Sequence, residues 1–226
     1  MKRIVIAIDG PAASGKSTTA RLVAARLGYL HVDTGAMYRA MTLKALQRGV
    51  DIQRADEVEA LAARTRIELK REASDHLRVL LDGVDVTEDI RKPAVTRAVS
   101  RVSSYSKVRK AMVHQQRSLG KHGGIVLEGR DIGTVVFPNA ELKIFMIADV
   151  RERAGRRFKE LEANGMQSSL EHVVQEIIER DEKDSGRELS PLKKSNDAIV
   201  LDTSAMTINE QVDFITAKAN EIIEVD

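Results

Sequence analysis

The chain reads as an α/β protein: a five-stranded parallel sheet covered by helices on both faces. Three observations predict this. Five brief apolar runs (Ile4–Ile8, Tyr29–Asp33, Ile125–Glu128, Leu142–Ala148 and Ala198–Leu201) suit strands buried on both faces. Helical patterns with their own start and stop signals separate most of them. The first run also feeds Gly10-Pro11-Ala12-Ala13-Ser14-Gly15-Lys16-Ser17, which matches G-x-x-x-x-G-K-S/T at every fixed position, and Ser17 to Leu27 is helical and stopped by Gly28. Strand, glycine loop and helix in that order aim backbone N–H groups and a positive helix end at a polyphosphate. Lys16 would reach the β- and γ-phosphates and Ser17 would ligate Mg²⁺.

The remaining elements follow in order. A helix runs from about Gly35 to Arg48 and is closed by Gly49. Asp56 to Arg66 is helical, with Val58, Leu61, Ala62 and Thr65 on one face. The pattern then changes. Ile67-Glu68-Leu69 alternates, and His76–Leu81 and Val84–Val86 flank Asp82-Gly83, a strong hairpin turn. This antiparallel patch marks an insertion over 67–105. Pro93 suits the first turn of a helix reaching about Val102, and Val108–Leu119 forms another. Asp149-Val150-Arg151-Glu152 has capping-box chemistry for a helix ending near Asn164-Gly165; Ser168-Ser169-Leu170-Glu171 repeats it for a helix to about Asp184. Ser185 to Asn196 reads as a polar loop. Thr207-Ile208-Asn209-Glu210 caps the last helix, whose apolar face is Ile208, Val212, Ile215, Ala219 and Ile222.

Composition narrows the function. The 226 residues suit one domain with an insertion, or two small domains, and 42% hydrophobic content supplies a sizeable core. Net charge is only +2, so any preference for phosphate must come from local clusters. Arginine outnumbers lysine 22 to 14, which favours bidentate grip on phosphate. Aromatic residues make up 3% with no Trp, which argues against a stacking platform for nucleic acid. The absence of Cys excludes disulfides and thiolate metal sites and agrees with a reducing compartment. No apolar stretch approaches membrane-spanning length and the chain opens on a core strand, so the expectation is a cytoplasmic protein without membrane or nucleic-acid partners.

Four constellations stand beyond the phosphate loop. Asp33-Thr34-Gly35-Ala36-Met37-Tyr38-Arg39 ends the second strand, where ligands collect in open α/β sheets; its bland reading is a helix cap followed by a surface arginine. Glu128-Gly129-Arg130-Asp131-Ile132-Gly133-Thr134 is a charged loop at the same end of the third strand, with Glu128 a second candidate for facing Mg²⁺. Arg153, Arg156 and Arg157 share one helical face, either as a solvated stripe or as a lid over the donor. Arg180, Asp184 and Arg187 share a face only if their helix runs past Gly186; otherwise they form a surface ion-pair ladder.

The order G-P-A-A-S-G-K-S, D-T-G-A-M-Y-R, G-R-D-I-G-T-V-V-F-P and R-D-x-x-D resembles the bacterial cytidylate kinases over essentially the whole chain. The resemblance implies a P-loop NTPase-type three-layer fold that moves the γ-phosphoryl of ATP onto CMP or dCMP, and it suggests a monomer. It implies a core of 1–66, 106–150 and 190–226, a monophosphate-binding insertion over 67–105 and a short helical lid over 151–189. Gly10, Pro11, Ala12, Ala13, Ser14, Gly15, Lys16, Ser17 and Thr18 would hold ATP, with Ser17 on Mg²⁺. Thr34, Tyr38, Arg39, Ser100, Arg109, Arg130, Asp131, Arg180, Asp184 and Arg187 fall where the family binds CMP or lid-contacted phosphate. Serine is frequent in the family at the Thr34 position and aspartate at the Glu128 position, which bears on the role of Glu128 toward Mg²⁺.

Phosphoryl transfer needs positioning and charge neutralisation more than covalent chemistry. Lys16 would neutralise donor oxygens, Arg39 and Arg130 would clamp the acceptor phosphate, and Arg153, Arg156 or Arg157 would balance charge at transfer. Lid closure would expel water that would otherwise be phosphorylated. Asp131 can accept from the cytosine amino group, as carboxylates do in base readout, while Ser100 and Arg109 donate to N3 and O2. Uracil would leave that carboxylate facing an acceptor, at about 1–3 kcal/mol for the mismatched buried contact. Two other readings stay open. One is a kinase for a different small acceptor. The other is a nucleotide switch or nucleic-acid-linked ATPase, against which stand the missing D-x-x-G and N-K-x-D pair and the weak net charge.

Overall fold

The computed structural model describes residues 2–71, 77–163 and 165–224. Alternate residues of β1 (Val5–Asp9) serve different cores. Ile6 and Ile8, with Ile4 just before the strand, face one layer, while Val5 and Ala7 face the other. A strand that feeds two apolar layers has no room for a polar side chain until it leaves the sheet, and its first is Asp9.

The sheet has the order β2 (Leu30–Asp33), β6 (Ile125–Gly129), β1, β7 (Leu142–Ile147) and β8 (Ile199–Asp202), all parallel. Because β1 is central, its outgoing loop opens mid-sheet at the carboxyl ends of the strands, where such sheets form their crevice. α1 (Lys16–Leu27) and α8 (Ile208–Glu224) cover one face. α2 (Thr34–Gln47), α3 (Ala55–Ala62), α4 (Pro93–Val102) and α5 (Ser106–Leu119) contribute to the core on the other.

The insertion is a separate antiparallel sheet, β3 (Ile67–Arg71), β4 (Leu77–Leu81) and β5 (Val84–Asp85). Leu69, Val79, Leu81, Val86 and Ile90 join the α2-side core, so its apolar face is shared with the main domain. Lys44 of α2 pins the hairpin turn through a 2.6 Å pair with Asp82. His76 and Asn164, expected at the ends of a strand and a helix, lie outside the described residues. α6 (Val150–Ala163) and α7 (Leu170–Ser185) form a helical pair with its own small core of Ala154, Val173 and Ile177, and Ala13 of the glycine loop packs against it.

Several boundaries differ from the sequence reading for visible reasons. α3 stops at Ala62 rather than Arg66: the Thr65 hydroxyl donates back to the Leu61 carbonyl and Lys44 takes the Arg64 carbonyl, turning the chain toward the insertion. α5 starts at Ser106, two residues early, after Tyr105 is anchored by its hydroxyl on the Ile52 carbonyl at 2.7 Å. Ser169, not Ser168, caps α7 by accepting from the His172 N–H. Asp149 accepts from the Arg151 N–H, so the expected box with Glu152 is replaced by a tighter turn. The Thr207–Glu210 box forms as expected, each side chain accepting from the other residue's N–H. Unforeseen is a π-helical turn over Ile132–Val136, in the loop after β6. Among the described residues no helix is long and apolar enough to cross a membrane.

Candidate active site

The loop after β1 is held open by its own backbone. Gly10 sits at φ 155°, and a Cβ there would come within 2.3 Å of the Met146 carbonyl oxygen, so only glycine lets the loop leave between β1 and β7. Ala13 at φ 57° and Gly15 at φ 93° curl the chain into a concave run of N–H groups, the alanine at a cost of about 1 kcal/mol. No side chain caps α1, which leaves its positive end for an anion. Lys16 folds back over the loop, Nζ 2.7 Å from the Pro11 carbonyl. Burial, followed by the charge of Arg130, pulls its ammonium down to about 7.

Ser17, in the first turn of α1, donates to Glu128 Oε2 at 2.5 Å. Glu128, the penultimate residue of β6, lies beside the end of β2, and its backbone carbonyl accepts from the Thr34 hydroxyl at 2.6 Å. Gly129 allows that approach, since a Cβ would lie 2.8 Å from Thr34 Oγ1. A hydroxyl and a carboxylate beside the phosphate loop are oxygen donors of the type Mg²⁺ takes when nucleotide phosphates and water complete its shell. The described residues offer no cluster of three or more acidic, His or Cys ligands.

Across the crevice lies a network of guanidinium groups around Asp184. Arg130 Nε donates to Asp184 Oδ2 at 2.8 Å and Arg187 Nη2 to Oδ1 at 2.5 Å. Burial works against the Asp184 carboxylate, yet Arg130, Arg187 and Arg180 together hold it below its ordinary range. α7 ends at Ser185, so Arg187 reaches Asp184 from beyond the helix rather than along its face. Arg180 has a buried Nε without a hydrogen-bond partner. Burial, then Arg130, pushes its guanidinium down to about 10. Arg39 and Arg157 add to that repulsion, so all of these cations share one space. Arg39 is held by Asp33 at 3.0 Å. Burial alone would raise Asp33, but Arg39 and the Ala36 N–H bring it below its ordinary value.

Beside this network Arg109 and Asp131 form a buried ion pair, and Arg109 also donates to the Ser103 carbonyl at 3.2 Å. The Arg109 guanidinium lies 5.3 Å from the centre of the Tyr38 ring, whose phenol burial pushes up to about 12. Ser100 lies half-buried on α4, its carbonyl accepting from the Ser103 hydroxyl. Tyr38, Arg39, Arg109, Arg130, Asp131, Arg180, Asp184 and Arg187 are therefore linked by direct contact or mutual charge, while Thr34 contacts the Glu128 carbonyl instead.

The α6 arginines divide. Arg153 is buried, donating to the Ala148 and Ala12 carbonyls and to Asp181 at 2.5 Å, while Asp181 also accepts from the Ala12 N–H. Arg156 ties the Ser14 carbonyl to Thr203 at the end of β8. Arg157 pairs with Glu160 at 3.0 Å on a more exposed face and bears electrostatically on Arg180. Their shared helical face thus serves two ends: two arginines brace the glycine loop and one faces the guanidinium network.

Sequence reasoning missed several side chains. Asp9 accepts from the Ile132 and Gly133 N–H groups, each at 2.8 Å, and so holds the start of the π-turn against the root of the glycine loop. Burial, only partly offset by those N–H groups, pushes its carboxyl up to about 6. Lys143, buried on β7, donates to the Pro138 carbonyl at the far end of the loop after β6 and pairs with Asp197 just ahead of β8. Ser103 joins Arg109 to Arg187. An acid closing an otherwise apolar strand was the available signal for Asp9.

A glycine loop shaped for polyphosphate, with a cluster of arginines close enough to act on its lysine, fits a nucleotide-dependent phosphotransferase. The profile of the cytidylate kinase family matches residues 6–221. The chain is 49% identical over 221 residues to a cytidylate kinase of Bacillus pumilus, covering 98% of each. It is 52% identical over 222 residues to one of Geobacillus thermodenitrificans, covering 98% of this chain and 97% of that one. A solved structure of an uncharacterised protein from Eubacterium ventriosum shares the fold, with a TM-score of 0.50 and 14% identity over 97% of this chain and 99% of that one. The chain belongs to the cytidylate kinase family. It is a nucleoside monophosphate kinase that transfers phosphate from ATP to CMP and dCMP.

Proposed function

We propose that transfer occurs between the glycine loop and the guanidinium network, with residues 10–18 holding ATP and the Asp184-centred arginines holding the acceptor. One feature carries this reading: Lys16 is buried at the glycine loop, and Arg130 and Arg180 stand close enough for their charges to add to that burial in lowering its ammonium. Cations that outnumber the carboxylates among them are held at a cost that bound phosphate relieves. Lys16 then neutralises donor oxygens, and Arg39, Arg130, Arg180 and Arg187 hold the acceptor phosphate. Arg130 and Arg157, with Arg153 on the donor side, balance charge as the phosphoryl group moves. The attacking phosphate oxygen is already anionic, so no general base is required. Mg²⁺ bound through Ser17 would supply charge neutralisation between donor oxygens.

Asp131, oriented by Arg109, accepts from the cytosine amino group, while Ser100 and Arg109 supply donors to N3 and O2. Residues 67–105 close over the monophosphate and 151–189 act as the lid. Because Ala13 packs on the lid pair and Arg153 and Arg156 brace the loop backbone, lid position and donor-loop shape are coupled. The protein works as a cytoplasmic monomer. A coupled ADP-release assay with CMP, dCMP, UMP, AMP and GMP in parallel tests the substrate side: CMP and dCMP should turn over fastest. Equal rates with UMP would remove the proposed role of Asp131.

A further inference from the structure

His31, on β2, makes one polar side-chain contact among the described residues, and it is to Glu128. Its Nε2 lies 3.1 Å from Glu128 Oε1, while Nδ1 is buried without a partner. The other carboxylate oxygen, Oε2, accepts from the Ser17 hydroxyl at 2.5 Å. Both side chains are largely enclosed, at 12% and 5% exposure. The Glu128 main chain is fixed separately by the Thr34 hydroxyl and by the parallel register of β2 with β6. A glutamate has three rotatable side-chain bonds, so a fixed backbone alone does not fix its carboxylate. Contacts to the two oxygens from a strand and from a helix do.

A serine hydroxyl has one proton and two lone pairs. With its proton committed to Glu128, the lone pairs of Ser17 are left for a cation. We propose that His31 is a positioning residue for the donor-side divalent cation: it fixes Glu128, which in turn orients the Ser17 hydroxyl. The proposal rests on reading Ser17 as the Mg²⁺ ligand. Partners of this kind, once removed from the ligand itself, typically change metal affinity about 10- to 100-fold when lost.

The test uses Mn²⁺ as the probe, its binding to the enzyme–ADP complex followed by electron paramagnetic resonance. His31→Leu keeps bulk and removes the ring nitrogens; His31→Gln keeps a donor. For His31→Leu, Mn²⁺ affinity should fall about tenfold, the KM for Mg²⁺ should rise in step, and kcat at saturating Mg²⁺ and the KM for CMP should stay within about twofold. His31→Gln should recover most of the loss. Wild-type Mn²⁺ affinity in His31→Leu overturns the proposal. So does a loss that Gln does not rescue, or one accompanied by an equal change in the KM for CMP, because either marks a general structural defect. If His31→Leu fails to fold, wild-type-like affinity in His31→Gln together with at least a tenfold loss in His31→Ala supports the proposal, and any other pattern in that pair overturns it. A wild-type complex that binds Mn²⁺ no more tightly than free ADP, or a Ser17→Ala variant that binds as wild type, instead removes the Ser17 assignment.

Discussion

Replacing Asp9 with Asn separates the role of this carboxylate in stability from its role in activity. The buried Asp9 carboxyl titrates near 6 instead of its ordinary 3.8, so its environment disfavours the charge by about 3 kcal/mol. Asparagine is neutral and escapes that penalty. Its amide oxygen keeps one of the two loop N–H groups, but its NH₂ faces the other, leaving a buried donor unpaired at about 1–3 kcal/mol. The two effects oppose each other at similar size, so the melting temperature should move little. The loop bearing Arg130 and Asp131, however, loses one of its two ties to the root of the glycine loop. The kcat/KM for CMP should fall about ten- to hundredfold at neutral pH.

The same carboxylate sets a pH dependence. A raised folded-state pKa means that Asp9 contributes most to stability below about pH 4, and that this contribution is lost as pH rises through about 6. Activity runs the other way, because the charged form holds the loop. CMP also titrates in this range, so the informative quantity is the ratio of wild-type to variant kcat/KM, in which substrate protonation cancels. A coupled assay from about pH 5 to 8 should find that ratio flat above about pH 7 and closing toward unity at the acid end. A ratio near one at every pH would refute the claim that Asp9 holds the acceptor loop. So would a ratio that widens in acid.

Lys16→Met should lower kcat about a hundred- to thousandfold with the fold intact by circular dichroism, since the lost group acts on charge developing at transfer. Asp131→Ala should narrow the CMP-to-UMP preference in kcat/KM and lower the melting temperature by about 10 °C, because it strands the buried Arg109 cation. Arg180→Met removes a like charge crowded against Arg130; its melting temperature should hold or rise while the KM for CMP increases more than tenfold, measured by calorimetry and steady-state kinetics.

Much of the fold was legible because its signals are local. The strands of the parallel sheet are apolar runs of four to six residues, and the glycine loop has fixed spacing, so periodicity and turn chemistry sufficed. The Asp82-Gly83 hairpin announced the insertion for the same reason. The boundaries that moved were set by tertiary contacts: Lys44 reaching the Arg64 carbonyl cut α3 short, and Tyr105 reaching Ile52 fixed the start of α5. The site divides likewise. Arg39, Arg130 and Arg180 stood out as charges beside motif residues. Asp9 and His31 act on groups more than ninety residues away, and Lys143 reaches Asp197 across 54 residues, and no local pattern encodes such pairings. Arg153 illustrates the converse: its spacing with Arg157 put both on one face, yet the buried one is bound by Ala12 and Asp181 while its neighbour is half open.

Phosphoryl transfer in this protein requires donor and acceptor phosphates to meet between Lys16 and the arginines around Asp184. A crystal structure of the protein with CMP and ADP tests this directly. The CMP phosphate should lie within hydrogen-bond reach of Arg39 and Arg130, the cytosine amino group on Asp131, and the β-phosphate of ADP in the loop beside Lys16. A CMP phosphate bound away from Arg39 and Arg130, or a cytosine that does not touch Asp131, would contradict it.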